Sequence, residues 1–197
     1  MTEREDWAPA TFHLVHWPTI QTCMNRSTIH QKCAAVKLSS RQWATDSKLH
    51  KRTPSHGHQC KRCNRHTETF NHIFTCTKST LATTGAISVL CNFLRASQIS
   101  PPMIRCMIQG IQQWLTDGNE PYDFSAHSPG AHLHLVHLAY MNQSSIGWGN
   151  LLRGRIATAW LQAHDQYYSL RHLHDKYSMT HFAPALVQHL WDFSLAI

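Results

Sequence analysis

A run of nineteen residues, 58–76, constrains the chain more than any other stretch. It reads "HQCKRCNRHTETFNHIFTC" and contains three of the seven cysteines together with three histidines. Cys60 and Cys63 form a C-x2-C pair, and His72 and Cys76 complete the spacing C-x2-C-x8-H-x3-C. A C-x2-C turn directs two thiolates at one point, and residues four apart share one face of a helix. The run therefore predicts a small metal-binding knuckle.

Three sulfurs and one imidazole nitrogen make a closed tetrahedral ligand set for zinc, which is typical of a structural site and not of a catalytic one. We expect about one zinc per chain, with an apparent binding free energy on the order of 10 kcal/mol, held by Cys60, Cys63, His72 and Cys76. His58 and His66 are the alternatives to His72. The competing interpretation is a set of ordinary buried cysteines beside a chance histidine, because the chain has seventeen histidines.

Positive charge is concentrated at the same place. Residues 1–65 carry eleven Lys and Arg against four Asp and Glu, whereas residues 66–197 carry seven of each. The run 48–65 has no acid and six cations, which are Lys48, Lys51, Arg52, Lys61, Arg62 and Arg65. The positive field of such a run attracts phosphate, and it is expected to lower the pKa of the nearby thiols. The simpler alternative is that the six cations only form a solvated surface without a ligand. His66 and Phe70 are candidate base-stacking surfaces.

The remaining sequence predicts helices. Residues 20–50 lack Pro and Gly and indicate one or two helices, and Thr67 or Thr69 is placed to cap a short helix before Cys76. Pro101 and Pro102 predict the start of a strongly apolar helix, and Pro184 predicts the start of the last one. Residues 146–168 indicate a single helix despite Gly149 and Gly154, and "GAHLHLVHLAYM" permits a helix or a strand.

These patterns predict a mostly α fold, a helical bundle with a small CCHC zinc knuckle. Along the chain we expect a basic helical segment at 1–52, the zinc-binding segment at 53–80 and a helical bundle at 81–197 that is truncated at its C-terminus. No apolar run is long enough for a membrane span, and the acidic N-terminus does not suit a secretory signal. The protein is therefore expected to be intracellular, with reduced cysteines.

The knuckle resembles the zinc-binding segment that follows the reverse transcriptase domain in non-LTR (LINE-like) retroelements. In that segment a C-x2-C pair is followed by E-T-x-x-H and a final Cys, matched here by the pair at 60 and 63, by "ETFNH" at 68–72 and by Cys76. Trp43 and "KLHKR" at 48–52 fit the basic approach to the motif, and "IGWGNLLRGRIATAW" looks like a segment further downstream. The resemblance implies a polyprotein part that binds RNA or DNA beside an upstream reverse transcriptase domain.

Other chemistries find less support. The triplet His132, His134 and His137 lacks the carboxylate of a two-metal hydrolase motif, and helix-surface histidines are the better interpretation. The chain has no adjacent aspartates, P-loop or G-x-S-x-G elbow, so we expect no catalysis from it alone. Two alternatives stay open, a zinc-stabilised helical module with a protein partner and a metal-dependent hydrolase.

Overall fold

Helices make up most of the described part of the chain. The structure, a computed structural model, describes residues 8–40, 42–116, 131–170 and 179–197. In chain order its helices are α1 (Pro9–Leu14), α2 (Trp17–Arg26), α3 (Ile29–Ser39), α4 (Asp46–Arg52), α5 (Phe70–Thr75), α6 (Thr80–Ala96), α7 (Pro101–Leu115), α8 (Ala131–Ile146), α9 (Trp148–Leu151), α10 (Thr158–Ser169) and α11 (Met179–Ala196). Within these residues the β structure is limited to two isolated bridges, so the mostly α prediction is confirmed.

Local signals explain where several helices begin. The Thr28 side chain accepts a hydrogen bond from the Gln31 backbone N–H, and the Gln31 side chain accepts from the Thr28 N–H, which is a capping box. Thr45 caps α4 through one hydrogen bond, in which its side chain accepts from the Lys48 N–H. Pro101 occupies the first turn of α7, as predicted. Region 20–50 thus contains most of α2, all of α3 and the first part of α4.

One contiguous core joins these helices. The cluster of buried apolar side chains draws from α2 and α3, from α5 to α7 and from α8 to α11. α10 packs against α8, and α11 packs against both α2 and α6. Trp160 and Trp191 are among its largest fully buried side chains. The core therefore takes residues from all three of the segments that the sequence suggested.

Two helix predictions in the second half of the chain were wrong in detail. Pro184 lies inside α11, which begins at Met179; the side chains on both sides of the proline, such as Phe182 and Leu186, are buried and hold the helix in the core. Region 146–168 is not one helix either, because α9 ends at Leu151 and α10 begins at Thr158.

Gly154 explains the break between α9 and α10. Its φ is +86°, a backbone conformation that side-chain-bearing residues rarely adopt, and a Cβ there would lie 2.7 Å from Trp191 Nε1. The preceding carbonyl, that of Arg153, accepts hydrogen bonds from the Trp191 indole N–H at 3.0 Å and from the Ser39 hydroxyl at 3.3 Å. Tertiary contacts to α11 and α3 thus replace the helical pattern at this point.

The histidine triplet lies on α8, so the helical alternative for this segment is correct. His134 and His137 are exposed, and His132 Nε2 lies 2.9 Å from the Ser100 hydroxyl. Among the described residues the triplet forms no grouping that could hold a metal. None of the described helices combines the length and the apolar character needed to cross a membrane.

Candidate metal centre and basic surround

The first two candidate ligands lie in a short hairpin. Gln59 and Thr67 form an antiparallel bridge, and the Cys60 N–H donates to the His66 carbonyl at 2.8 Å. At the tip the Asn64 N–H donates to the Cys60 carbonyl at 2.7 Å, and Asn64 has a φ of +53°. Asn tolerates this left-handed conformation better than most residues, which suits it to the turn after a C-x2-C pair.

The other two candidate ligands lie on and after α5. The Thr69 hydroxyl caps this helix by accepting the His72 N–H at 3.2 Å, so the prediction that Thr67 or Thr69 is the cap is confirmed for Thr69. Cys76 is not on a second helical turn, as the spacing suggested, because α5 ends at Thr75 and Cys76 has an extended backbone. The chain turns there into a short 3-10 segment at Thr77–Ser79.

Two aromatic side chains fix α5 to the rest of the molecule. Phe70 and Phe74 are buried, with 5% and 4% of their surfaces exposed. The Phe74 ring lies 5.6 Å from the Trp114 ring of α7, and the Arg153 guanidinium lies 4.6 Å from the centre of the Phe70 ring. Since Phe70 is enclosed in this way, it offers no surface for base stacking, and that suggestion from the sequence is wrong.

The four candidate ligands converge. Cys60 Sγ lies 3.9 Å from Cys76 Sγ, and Cys63 Sγ lies 3.4 Å from His72 Nε2. All four ligand atoms lie within 4.8 Å of one another, and these residues could hold a metal ion. Cys60 and Cys76 are buried, whereas Cys63 and His72 are partly exposed. The structure thus brings together the residues that the spacing selected.

The two alternative histidines lie outside this grouping of ligand atoms. The His66 ring stands 5.3 Å from the His72 ring, centre to centre, and the His58 ring stands 5.1 Å from the His50 ring. None of the seven cysteines, all of which are described, forms a disulfide. The thiols therefore remain available as ligands.

Backbone amides prepare the thiols for a cation. The pKa of Cys63 is lowered to about 6, first by a hydrogen bond from the Arg65 backbone N–H and further by that of His66. Burial raises the pKa of Cys60, and hydrogen bonds from the backbone N–H groups of Cys63 and Arg62 partly offset this effect. The sequence suggested that cationic side chains would lower these pKa values, but the largest cause at Cys63 is the backbone N–H of Arg65 and not its guanidinium.

The six predicted cations differ in how far other residues engage them. The exposed side chains of Lys51, Arg52 and Arg65 make no hydrogen bond or ion pair with other described residues, and we call these three the basic triad. Lys48 is half-buried on α4. Arg62 Nη1 donates to the Ser79 hydroxyl at 2.6 Å. The triad is therefore the part of the run that is most available to an outside ligand.

Lys61 has an acidic partner that the sequence reasoning missed. Its Nζ lies 3.4 Å from the carboxylate of Asp46, which is buried and also lies 2.9 Å from His56 Nε2. Asp46 precedes the acid-free run by two residues. Its place directly after the capping Thr45 was the sequence signal that an acidic side chain lies at the start of α4. The hydrogen bond to His56, and then Lys61, hold the pKa of this carboxyl below its usual range.

Glu68 completes the connection between α4 and the hairpin. Its side chain accepts the Asp46 backbone N–H at 3.1 Å, and its carbonyl accepts the Ser47 N–H at 3.3 Å.

Comparison of the chain with family models, with curated proteins and with solved structures finds no match in any of the three.

Proposed function

We propose that the four ligands hold a structural zinc ion. Tetrahedral zinc with sulfur at about 2.3 Å and nitrogen at about 2.05 Å separates two sulfurs by about 3.8 Å and a sulfur from a nitrogen by about 3.6 Å. The Cys60–Cys76 distance of 3.9 Å and the Cys63–His72 distance of 3.4 Å agree with those values. Thiolates and imidazole suit zinc, and four protein ligands leave no position for a reacting water. The hydrolase alternative therefore has less support than a structural site.

We infer further that the chain binds nucleic acid through phosphate contacts. The observation that carries this inference is the position of the basic triad, which lies on α4 and on the hairpin that the ligands organise. The contacts of Asp46 and Glu68 attach α4 to that hairpin. A group of exposed cations that no described residue engages is an arrangement that attracts phosphate.

The motif residues support the proposed origin in a non-LTR retroelement polyprotein. Within "ETFNH" the residues that the motif specifies each have a local role, since Glu68 holds α4, Thr69 caps α5 and His72 is a ligand. We propose that the chain is the C-terminal, zinc-binding and non-catalytic portion of such a reverse transcriptase. This origin is tested by the genomic sequence upstream of the codon for Met1. An in-frame polymerase domain is expected there, and an unrelated reading frame would count against this origin.

Nucleic-acid binding is tested with charge reversals at matched positions. One variant changes the basic triad to Glu, and the control changes three exposed cations on other helices to Glu, namely Arg26, Lys37 and Arg95. Both variants have the same net charge. Fluorescence anisotropy with a labelled oligonucleotide should show a loss of at least about tenfold in affinity for the triad variant only.

Equal losses in the two variants would mean that net charge alone attracts the oligonucleotide, which would contradict a specific surface. A zinc-loaded wild type that binds neither single-stranded nor duplex nucleic acid would favour the alternative of a module with an acidic protein partner.

A further inference from the structure

A groove lies beside the candidate metal centre, between the hairpin and the helices α5, α6 and α7. Its volume is about 830 Å³, within the range of roughly 300–1,000 Å³ typical of small-molecule sites. Among the residues that line it are His66, His72, Thr80, Thr84, Gln112 and Ile87. The groove thus has both polar and apolar side chains in its lining, as small-molecule sites commonly have.

The threonine hydroxyls give the groove a defined hydrogen-bonding character. The hydroxyl of Thr80 donates to the Thr77 carbonyl at 2.7 Å, and the hydroxyl of Thr84 donates to the Thr80 carbonyl at 2.8 Å. At the α7 side the hydroxyl of Thr116 donates to the Gln112 carbonyl at 3.0 Å. Because each hydroxyl has a single proton, these oxygens face a ligand as acceptors. They favour a ligand with N–H or O–H groups and disfavour a phosphate oxygen.

His66 supplies a ring at the end of the groove nearest the ligands. Its side chain is exposed, while its backbone carbonyl accepts the Cys60 N–H and its backbone N–H lowers the pKa of Cys63. The hairpin therefore fixes the backbone of His66, and the His66 ring lies 5.3 Å from the His72 ring, centre to centre. Exposed cations stand next to the groove in sequence, Arg65 before His66 and Lys78 after Thr77.

We propose, on the basis of the nucleic-acid function proposed above, that this groove receives an unpaired nucleotide of a single strand. The base lies inside, stacked on His66, and its amino or imino groups donate to the threonine oxygens. The neighbouring phosphates stay outside, at Arg65 and Lys78. A base in a duplex has its pairing edge occupied and cannot enter, so the groove selects single-stranded over duplex nucleic acid.

The test separates base binding from phosphate binding. The zinc-loaded full chain is titrated with a labelled single strand of about 12 nucleotides, with the duplex of the same sequence and with an abasic strand of equal length. The intact strand should bind about tenfold tighter than the abasic one, and an RNA strand shows whether ribose hydroxyls add to this. Thr84→Trp places a bulky ring among the lining residues of the groove, and Ser88→Trp places the same ring on an exposed position of α6 outside it.

Thr84→Trp and His66→Ala should each reduce the intact strand to the affinity of the abasic one, whereas Ser88→Trp and His66→Phe should keep the difference. Circular dichroism and zinc content confirm that each variant is folded. Equal affinities of wild type for intact and abasic strands would overturn the groove assignment while leaving phosphate binding in place. Absence of binding to every strand would overturn both proposals. If polyglutamate displaced the strand fully, and if Thr84→Trp weakened its binding as much as that of the strand, the groove would bind a peptide and the assignment to a base would be overturned.

Discussion

Removal of one of the proposed zinc ligands should lower the stability of the whole chain and not only that of the hairpin. The reason is the position of α5, whose Phe70 and Phe74 are buried in the common core while His72 on the same helix is a candidate ligand. The change we choose is Cys63→Ser, because Cys63 is partly exposed and serine has nearly the same size. Its control is Cys33→Ser, at an exposed cysteine of α3 outside the ligand cluster.

The expected effect follows from linkage between metal binding and folding. An apparent binding free energy of about 10 kcal/mol corresponds to a Kd of about 50 nM. At a free zinc concentration about 100 times that Kd, binding stabilises the native state by about 2.7 kcal/mol. For a chain of this length each kcal/mol shifts Tm by about 2–4 °C. Wild type and Cys33→Ser should therefore melt about 5–10 °C higher in zinc than in chelator.

The measurement is thermal unfolding followed by circular dichroism, in zinc-buffered solution and in chelator. In Cys63→Ser the difference between the two conditions should largely disappear, and cobalt substitution of wild type should give the visible bands of a tetrahedral thiolate site. A wild-type Tm that does not respond to zinc would refute the reasoning. So would a zinc response in Cys63→Ser equal to that of Cys33→Ser, because the four-ligand site would then not exist.

Three further outcomes are expected. With the basic triad and Lys78 at phosphates, the logarithm of the affinity for a single strand should fall with the logarithm of salt concentration at a slope of about −3. Arg65→Gln should reduce the magnitude of this slope by about 0.7 while Arg95→Gln leaves it unchanged, as measured by anisotropy. Gly154→Ala should cost about 2–4 kcal/mol in urea unfolding, because φ is positive and the added Cβ meets α11, whereas Gly57→Ala, whose Cβ meets open space, should change stability by less than about 0.5 kcal/mol. Because the pKa of Asp46 is lowered in the folded state, its carboxylate stabilises the fold fully above its usual pKa of 3.8. This contribution is lost as the pH falls through the pKa of the folded state. In urea unfolding, the free energy of unfolding of Asp46→Asn should therefore change less over this acid range than that of wild type.

The convergence of the four candidate ligands was predictable because it depends on short-range geometry. A C-x2-C turn and the first turn of a capped helix each fix their side chains locally. The sequence also indicated the capping Thr69, which precedes His72 by three positions. The engagement of Lys61 by Asp46 was not predictable from charge counts, because it requires α4 to fold back onto the hairpin. The same is true of Phe70, which looked like a stacking surface and is covered by Arg153 from a distant segment.

The helices divide along the same line. The start of α7 at Pro101 was predictable, since a proline in the first turn of a helix is a local signal. Pro184 sends the same signal but lies within α11, where burial of the neighbouring residues outweighs it. The break at Gly154 depends on the indole of Trp191, which lies 37 positions later in the sequence. Local sequence signals therefore mispredict a helix boundary where tertiary contacts contribute more free energy than the local preference does.

The candidate metal centre connects the stability of the core with the proposed binding of phosphate. On one side α5 joins it to the core through its phenylalanines, and on the other Glu68 and Asp46 join the hairpin to α4, which carries two cations of the basic triad. Loss of the proposed zinc ion should therefore detach the proposed phosphate-binding surface from the hairpin and destabilise the core at the same free zinc concentration. If nucleic-acid affinity and Tm depended on zinc with different midpoints, the connection through Glu68 would not transmit the state of the site to α4.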